Sequence, residues 1–348
     1  MISNRRNLLK LGAFGAVAGV MPAVAVRAKT AAPAAGIADT TLDLVDPQYR
    51  AFAQQMLPAE LSDAILPQIR EVVAASPAIG RTDPVYEHFD IAGRAAEVYV
   101  YRPSAPKADP APAILYIHGG GYVVGTAGQM HGYCHDMADK SGAVVVSVEY
   151  RLAPDTPFPG PLEDCHDALS WTHARAADLG IDPDRISIMG HSAGGGLCAA
   201  LALYARDRGE MPVRAQFPIY PMLDHRTATT AAPVNNLATG EFVWGRQTNR
   251  YGWASYRGGY GLDDARIGHF SPTHAAALAG LPPAFMIVGA LDLFLEEDAD
   301  YALRLTRERV PVEFIIYPGA IHGFDNVPGT NLTARFEIDL YNAFARFI

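Results

Sequence analysis

Six short apolar runs recur along the chain: AILYIH (113–118), AVVVSVEY (143–150), RISIMG (185–190), RAQFPIY (214–220), AFMIVGA (284–290) and VEFIIYP (312–318). Few polar residues interrupt them, which is the pattern of strands buried on both faces of a sheet. Between most of them apolar residues fall at three- and four-residue steps, over 129–140, 162–178, 193–207, 297–309 and 332–347. That spacing predicts helices, and strands alternating with helices predict βαβ units in an α/β fold with a mostly parallel sheet. VYEHFDIA and AAEVYVYRP, from residue 83 on, alternate apolar and polar positions and predict a pair of antiparallel strands. Upstream, DPQYRAFAQQML and AELSDAILPQIREVVAA predict two amphipathic helices.

One stretch leaves the alternation. Residues 221–275 place Phe242, Trp244, Tyr251, Trp253, Tyr256 and Tyr260 among glycines and polar residues. An insertion this aromatic is expected to cover the ligand edge of the sheet. No internal repeat is visible.

Composition narrows the picture without changing it. The chain has 348 residues, 49% hydrophobic and 19% charged, enough for one large domain. A formal charge of −9 with no basic patch excludes a nucleic-acid partner. The N-terminus reads differently from the rest. Arg5, Arg6 and Lys10 precede the apolar run LGAFGAVAGVMPAVAV, and small residues follow. A basic start, a short apolar core and a small-residue exit mark a secretory signal, and the arginine pair resembles a twin-arginine export signal. The expected organisation is a signal peptide over 1–28, a linker with covering helices over 29–82, and a catalytic domain over 83–348 with a cap insertion at about 221–270. Cleavage after Ala28 would remove four positive charges and no acid, leaving −13, and would leave no membrane span. Cys134, Cys165 and Cys198 are too few for a disulfide framework, lack metal-ligand spacing and are read as small core residues.

The chemistry begins at Gly190-His191-Ser192-Ala193-Gly194. G-x-S-x-G between a strand and a helix forms a sharp turn that exposes the serine, and glycines on either side remove the clash where the chain doubles back. A serine hydroxyl needs a base. Among eleven histidines, His322 follows the last strand-like run and Asp292 follows the one before it. Both sit in loops at the carboxyl ends of strands, where ligands meet this class of sheet. The order Ser192, Asp292, His322 is the one expected for such a triad. Asp298 and Asp300 are read as solvated first turns of the following helix. His131, His135, His166 and His173 are read as surface or structural residues, and His191 as a support for the turn. Asp224 and His225, just past a strand, have no pattern that favours them. His118-Gly119-Gly120-Gly121 ends the first central strand and lacks the Lys-Ser/Thr ending of a phosphate loop. Its glycine N–H groups, Gly120 and Gly121 above all, together with the N–H of Ala193, are expected to form an oxyanion hole.

These residues carry a resemblance. H-G-G-G at 118–121, YRLAPDTPFPGPLED at 150–164, the serine turn at 190–195, Ser271-Pro272 before LPPAFMIVGALD, and H-G-F at 322–324 resemble the bacterial hormone-sensitive-lipase-like family of α/β-hydrolases. The resemblance runs from about residue 45 to the C-terminus. It implies an α/β-hydrolase fold with helices on both sheet faces and a helical cap, serine esterase activity on a small-molecule ester, and no metal or organic cofactor. It also implies Ser192 as nucleophile, Asp292 as acid and His322 as base, with His118, Gly119 and Arg151 steadying the oxyanion loop and its neighbours. Two positions depart from the family pattern: His191 stands where Asp or Thr is usual, and DLFLEE at 292–297 replaces D-P-L-x-D-E. G-H-S-A-G is also similar to arylformamidases and some sugar-ester esterases, so an amidase with the same triad is the neighbouring expectation. A non-catalytic ligand receptor on this fold is the remote one.

Overall fold

Eight strands build one sheet in the order β1-β2-β4-β3-β5-β6-β7-β8. They are β1 (Glu87–Asp90), β2 (Glu97–Tyr101), β3 (Ala111–Ile117), β4 (Val144–Glu149), β5 (Ile181–His191), β6 (Gln216–Ile219), β7 (Ala284–Gly289) and β8 (Val312–Tyr317). β1 and β2 pair antiparallel, as does β2 with β4, and every remaining neighbour is parallel. The computed structural model describes residues 38–348 apart from Ala59, Pro77, Ala92 and Arg94. The export signal expected over residues 1–28 lies outside the described residues.

Helices connect and cover the strands: α1 (Ala38–Leu44), α2 (Arg50–Gln55), α3 (Leu66–Ala74), α4 (His131–Ser141), α5 (Gly160–Ala174), α6 (Ala176–Leu179), α7 (Ala193–Arg208), α8 (Arg246–Arg257), α9 (Ile267–Phe270), α10 (Leu295–Arg307) and α11 (Asn331–Phe347). β3, β6 and β7 are buried along their whole length, as are the C-terminal half of β5 and all of β4 but Glu149, so successive side chains feed two cores. Leu115 and Ile117 of β3 join Leu162 and Leu169 of α5, Leu197 and Leu201 of α7, and Tyr301 and Leu305 of α10. Ile114 and Tyr116, one residue out of phase, join Met137 of α4 and Phe336, Leu340 and Phe344 of α11 on the opposite face. All three cysteines are free and buried. Among the described residues no helix is long and apolar enough to cross a membrane.

One expectation fails here. Asp300 is exposed, but Asp298 has no exposed surface at all. Phe294, Asp298, Tyr301 and Leu305 fall three or four residues apart, so the turn of α10 sets Asp298 on the face that packs against the sheet. An acidic neighbourhood, Glu296-Glu297-Asp298, disguises that position as a solvated helix start.

Candidate active site

Ser192 stands between the end of β5 and the start of α7 with φ 56° and ψ −121°, a conformation that side-chain-bearing residues rarely adopt. Three backbone hydrogen bonds over-determine it. Its N–H donates to Ile219 O (2.9 Å), and its carbonyl accepts from Gly196 (2.9 Å) and Met222 (3.0 Å). The turn is tight enough that a Cβ on Gly190 would lie 2.2 Å from Gly194 O, and one on Gly194 2.2 Å from Ile117 O. This close approach is the physical reason for the glycines around the serine.

Two further loops reach this turn. His322 Nε2 lies 3.0 Å from Ser192 Oγ, and its Nδ1 lies 2.7 Å from Asp292 Oδ2. The other carboxylate oxygen of Asp292 accepts from Phe294 N–H at 3.0 Å. Ser192, Asp292 and His322 are all buried, at 7%, 1% and 6% exposure, so their mutual contacts replace water. The rings of Tyr220 and Phe294 both pack edge-on against His322, at 4.9 Å and 5.3 Å, which limits how the imidazole can turn.

The glycine loop lies beside the serine. Gly120 O accepts from the N–H groups of both Val123 and Val124, curling the loop on itself. Gly120 and Gly121 have φ 125° and 60°. A Cβ on Gly121 would lie 2.0 Å from the Trp244 indole, so that ring rests directly on the loop. Ala193 is the first residue of α7, where a backbone N–H has no acceptor within the helix. His118 supports the loop from below, with Nδ1 2.8 Å from Gly119 O, its ring stacked on Tyr150 at 4.2 Å, and its own carbonyl accepting from Tyr150 Oη. Burial lowers the His118 pKa to about 4, against the opposing hydrogen bond to Gly119. Arg151 binds Asp164 through Nε and Nη2.

These groups open on a cleft of about 180 Å³ lined by the glycine loop, Ser192, His322 and a mostly apolar wall. Met56, Val73 and Ile79 bring the N-terminal segment into that wall, and Met130 adds to it. From residues 221–275 only Val243 and Trp244 line the cleft. Trp253, Tyr256, Tyr260 and Phe270 pack with one another and with Tyr122 and Phe158, as in the stacked Tyr122–Tyr256 pair at 4.1 Å.

The remaining candidates separate from this cluster. Asp224 is held by Arg226 through Nε and Nη2. Burial pushes its carboxyl up, but the hydrogen bonds from His274 and Arg226 together outweigh it and leave it well below the usual range. Asp224, His225 and His274 do bring ligand atoms within 4.8 Å of one another, yet the guanidinium already occupies Asp224. Two residues escaped the sequence reading. Tyr220, just past β6, reaches both His322 and, through its hydroxyl, Asp325. Glu149 ends β4, accepts from Ala127 N–H at 2.8 Å, and lies 3.8 Å from His118 Nε2. A charged residue closing an otherwise apolar strand at its carboxyl end was the available signal for Glu149.

Comparison with known proteins agrees with this architecture. Residues 114–326 match the Abhydrolase_3 family, which has the alpha/beta hydrolase fold. An ethyl acetate hydrolase of Pseudomonas putida is 33% identical over 236 residues, covering 67% of this chain and 72% of the relative. Carboxylesterase NlhH of Mycobacterium tuberculosis is 36% identical over 241 residues, 66% of this chain and 71% of the relative. Among solved structures, a bacterial heroin esterase superposes with a TM-score of 0.78 at 34% identity, covering 88% of this chain and 98% of its own. The chain belongs to the Abhydrolase_3 family, the hormone-sensitive-lipase-like branch of the α/β-hydrolases.

Proposed function

We propose that this carboxylic ester hydrolase acts through Ser192, His322 and Asp292. Ser192 Oγ attacks the acyl carbon while His322 Nε2 takes its proton, and Asp292 holds the ring's tautomer and stabilises the imidazolium. The oxyanion is received by the N–H of Ala193 and by those of Gly120 and Gly121. The alcohol leaves with the proton from His322, and water repeats the sequence on the acyl-enzyme. One observation carries this reading: an unbroken line of contacts from carboxylate to imidazole to hydroxyl, 2.7 Å and 3.0 Å long, at the mouth of an apolar cleft. No step in it calls on a metal or cofactor.

The small, apolar cleft favours esters with short to medium acyl groups or aryl alcohols. Relatives named for ethyl acetate and for heroin support an ester rather than an amide substrate. The test is a series of nitrophenyl esters from acetate to laurate, with a matched anilide, run on residues 29–348 and on Ser192→Ala. Rates should peak below the longest chains and fall at least about 10⁴-fold in Ser192→Ala. An intact enzyme that cleaves no ester above background, or a Ser192→Ala variant as fast as the parent, overturns the mechanism. Anilide cleavage faster than ester cleavage makes it an amidase.

The basic, apolar and small-residue order of residues 1–28 supports export through a twin-arginine route. Replacing Arg5 and Arg6 by lysine should retain the protein in the cytoplasm. Continued export would assign the signal to the general secretory route.

A further inference from the structure

Ser192 has a second imidazole–carboxylate pair beside it. His191, the preceding residue, is buried and lines the cleft. Its Nδ1 lies 3.1 Å from the Tyr116 hydroxyl, and its Nε2 lies 3.4 Å from Asp325 Oδ2. The Asp325 side chain is 5% exposed, and its Oδ1 accepts from Tyr220 Oη at 2.7 Å. Tyr133 of α4 closes the seam, its ring edge-on to His191 at 5.4 Å. Among the described residues no arginine or lysine forms an ion pair with Asp325, which leaves His191 as its basic partner.

The placement of this pair is informative. Asp325 lies three residues past His322, on the short 3₁₀ turn Phe324–Asn326, and His191 is bonded directly to Ser192. The contact therefore joins the two loops that must meet for His322 to reach Ser192. The Asp292 bond fixes the ring of His322, and Gly323, with φ 69°, turns the chain from His322 into the 3₁₀ turn that carries Asp325. Tyr220 then couples the tie to the imidazole itself, since one side chain carries both the hydrogen bond to Asp325 and the ring against His322. A buried carboxylate needs compensation, and here Tyr220 Oη, from the loop after β6, donates to one oxygen while the imidazole of the elbow faces the other at 3.4 Å without a hydrogen bond.

We infer that His191 and Asp325 are positioning residues, a strap that holds the His322 loop against the nucleophile turn and sets the approach of Nε2 to Oγ. The inference rests on the triad proposed above. Catalytic groups need placement to within about 0.5 Å, and misplacement by 1 Å can cost about 100-fold.

The experiment is a double-mutant cycle of Asp325→Asn and His191→Asn. It is read as kcat and KM on a nitrophenyl ester and as the rate at which a nitrophenyl phosphonate labels Ser192. Asparagine at 325 keeps the shape and an acceptor for Tyr220 but removes the charge. Each single variant should lose about 10- to 100-fold in kcat and in labelling rate, with KM within twofold. The double variant should be no worse than the poorer single one. Tyr220→Phe, which deletes one hydroxyl and keeps the ring against His322, should lose a few-fold in kcat and serves if Asp325→Asn does not fold. The strap is overturned if folded variants keep kcat within twofold, if their losses multiply in the double variant, or if KM alone changes. A Ser192→Ala protein of full activity would instead overturn the triad, so the two failures are distinct.

Discussion

Asp292 and Asp298 stand six residues apart and are equally hidden, at 1% and 0% exposure, yet their surroundings are opposite. Asp292 meets an imidazole and a backbone N–H. Neither carboxyl oxygen of Asp298 has a hydrogen-bond partner among the described residues. Burial pushes the Asp298 carboxyl far above the ordinary range, and repulsion from Glu297 and Asp292 adds to it. Equal burial thus leaves the two carboxyls with opposite surroundings, one hydrogen-bonded and one without a partner. A neutral Asp298 also spares the triad a second negative charge beside Asp292.

The largest effect that separates the two is on rate. Asp292→Asn should lower kcat by about 10³- to 10⁴-fold, because the amide no longer enforces the imidazole tautomer or stabilises its protonated form. Asp298→Asn should leave kcat within a few-fold. Steady-state kinetics on one nitrophenyl ester checks both, and equal losses would erase the distinction.

Stability against pH reverses the ranking. The folded-state pKa of Asp298 lies above its unfolded value, so above the ordinary carboxylate range the native state holds a proton that the unfolded chain has released. Stability then falls as pH rises, by up to about 1.4 kcal/mol per pH unit for one such group. Urea melts of the parent and Asp298→Asn between pH 5 and 8 should diverge, the variant gaining relative stability toward pH 8. Parallel curves would mean that Asp298 finds a partner when ionised.

The same contrast explains what could be read from the sequence. Strands were legible because burial on both faces leaves nearly uninterrupted apolar runs, and Ser192 because the tight turn demands small neighbours. Asp292 and His322 were legible by position, each in the loop after a strand. Asp298 was misread because three acids in a row outweighed a helical spacing that pointed inward. The role of Trp244 was hidden for another reason. Six aromatics share one insertion, and which of them reaches the cleft depends on contacts with a loop more than 100 residues away. The Asp325–His191 contact is of that kind too, since no periodicity links the turn after β8 with the end of β5.

Glu149 and His118 offer a finer version of the comparison, with a half-buried acid 3.8 Å from a buried base. Burial raises Glu149 to about 7, against the hydrogen bond from Ala127, and lowers His118 to about 4. Each is therefore neutral between about pH 5 and 6.5, and the contact there is not an ion pair. Their linkages oppose each other. As pH rises from the unfolded carboxylate range toward 7, Glu149 keeps a proton that the unfolded chain has lost, so its contribution falls by at most about 3 kcal/mol. Over about pH 4 to 6.5 the unfolded chain holds a proton on His118 that the native state lacks, so that contribution rises by a similar amount. In the parent the two nearly cancel. Glu149→Gln should expose the histidine alone, giving a protein that loses stability as pH drops below 6.5. His118→Asn should expose the acid alone, giving one that loses stability as pH climbs toward 7. Slopes of the same sign in both variants would show that the pair shares one proton, and that neither group has a titration of its own.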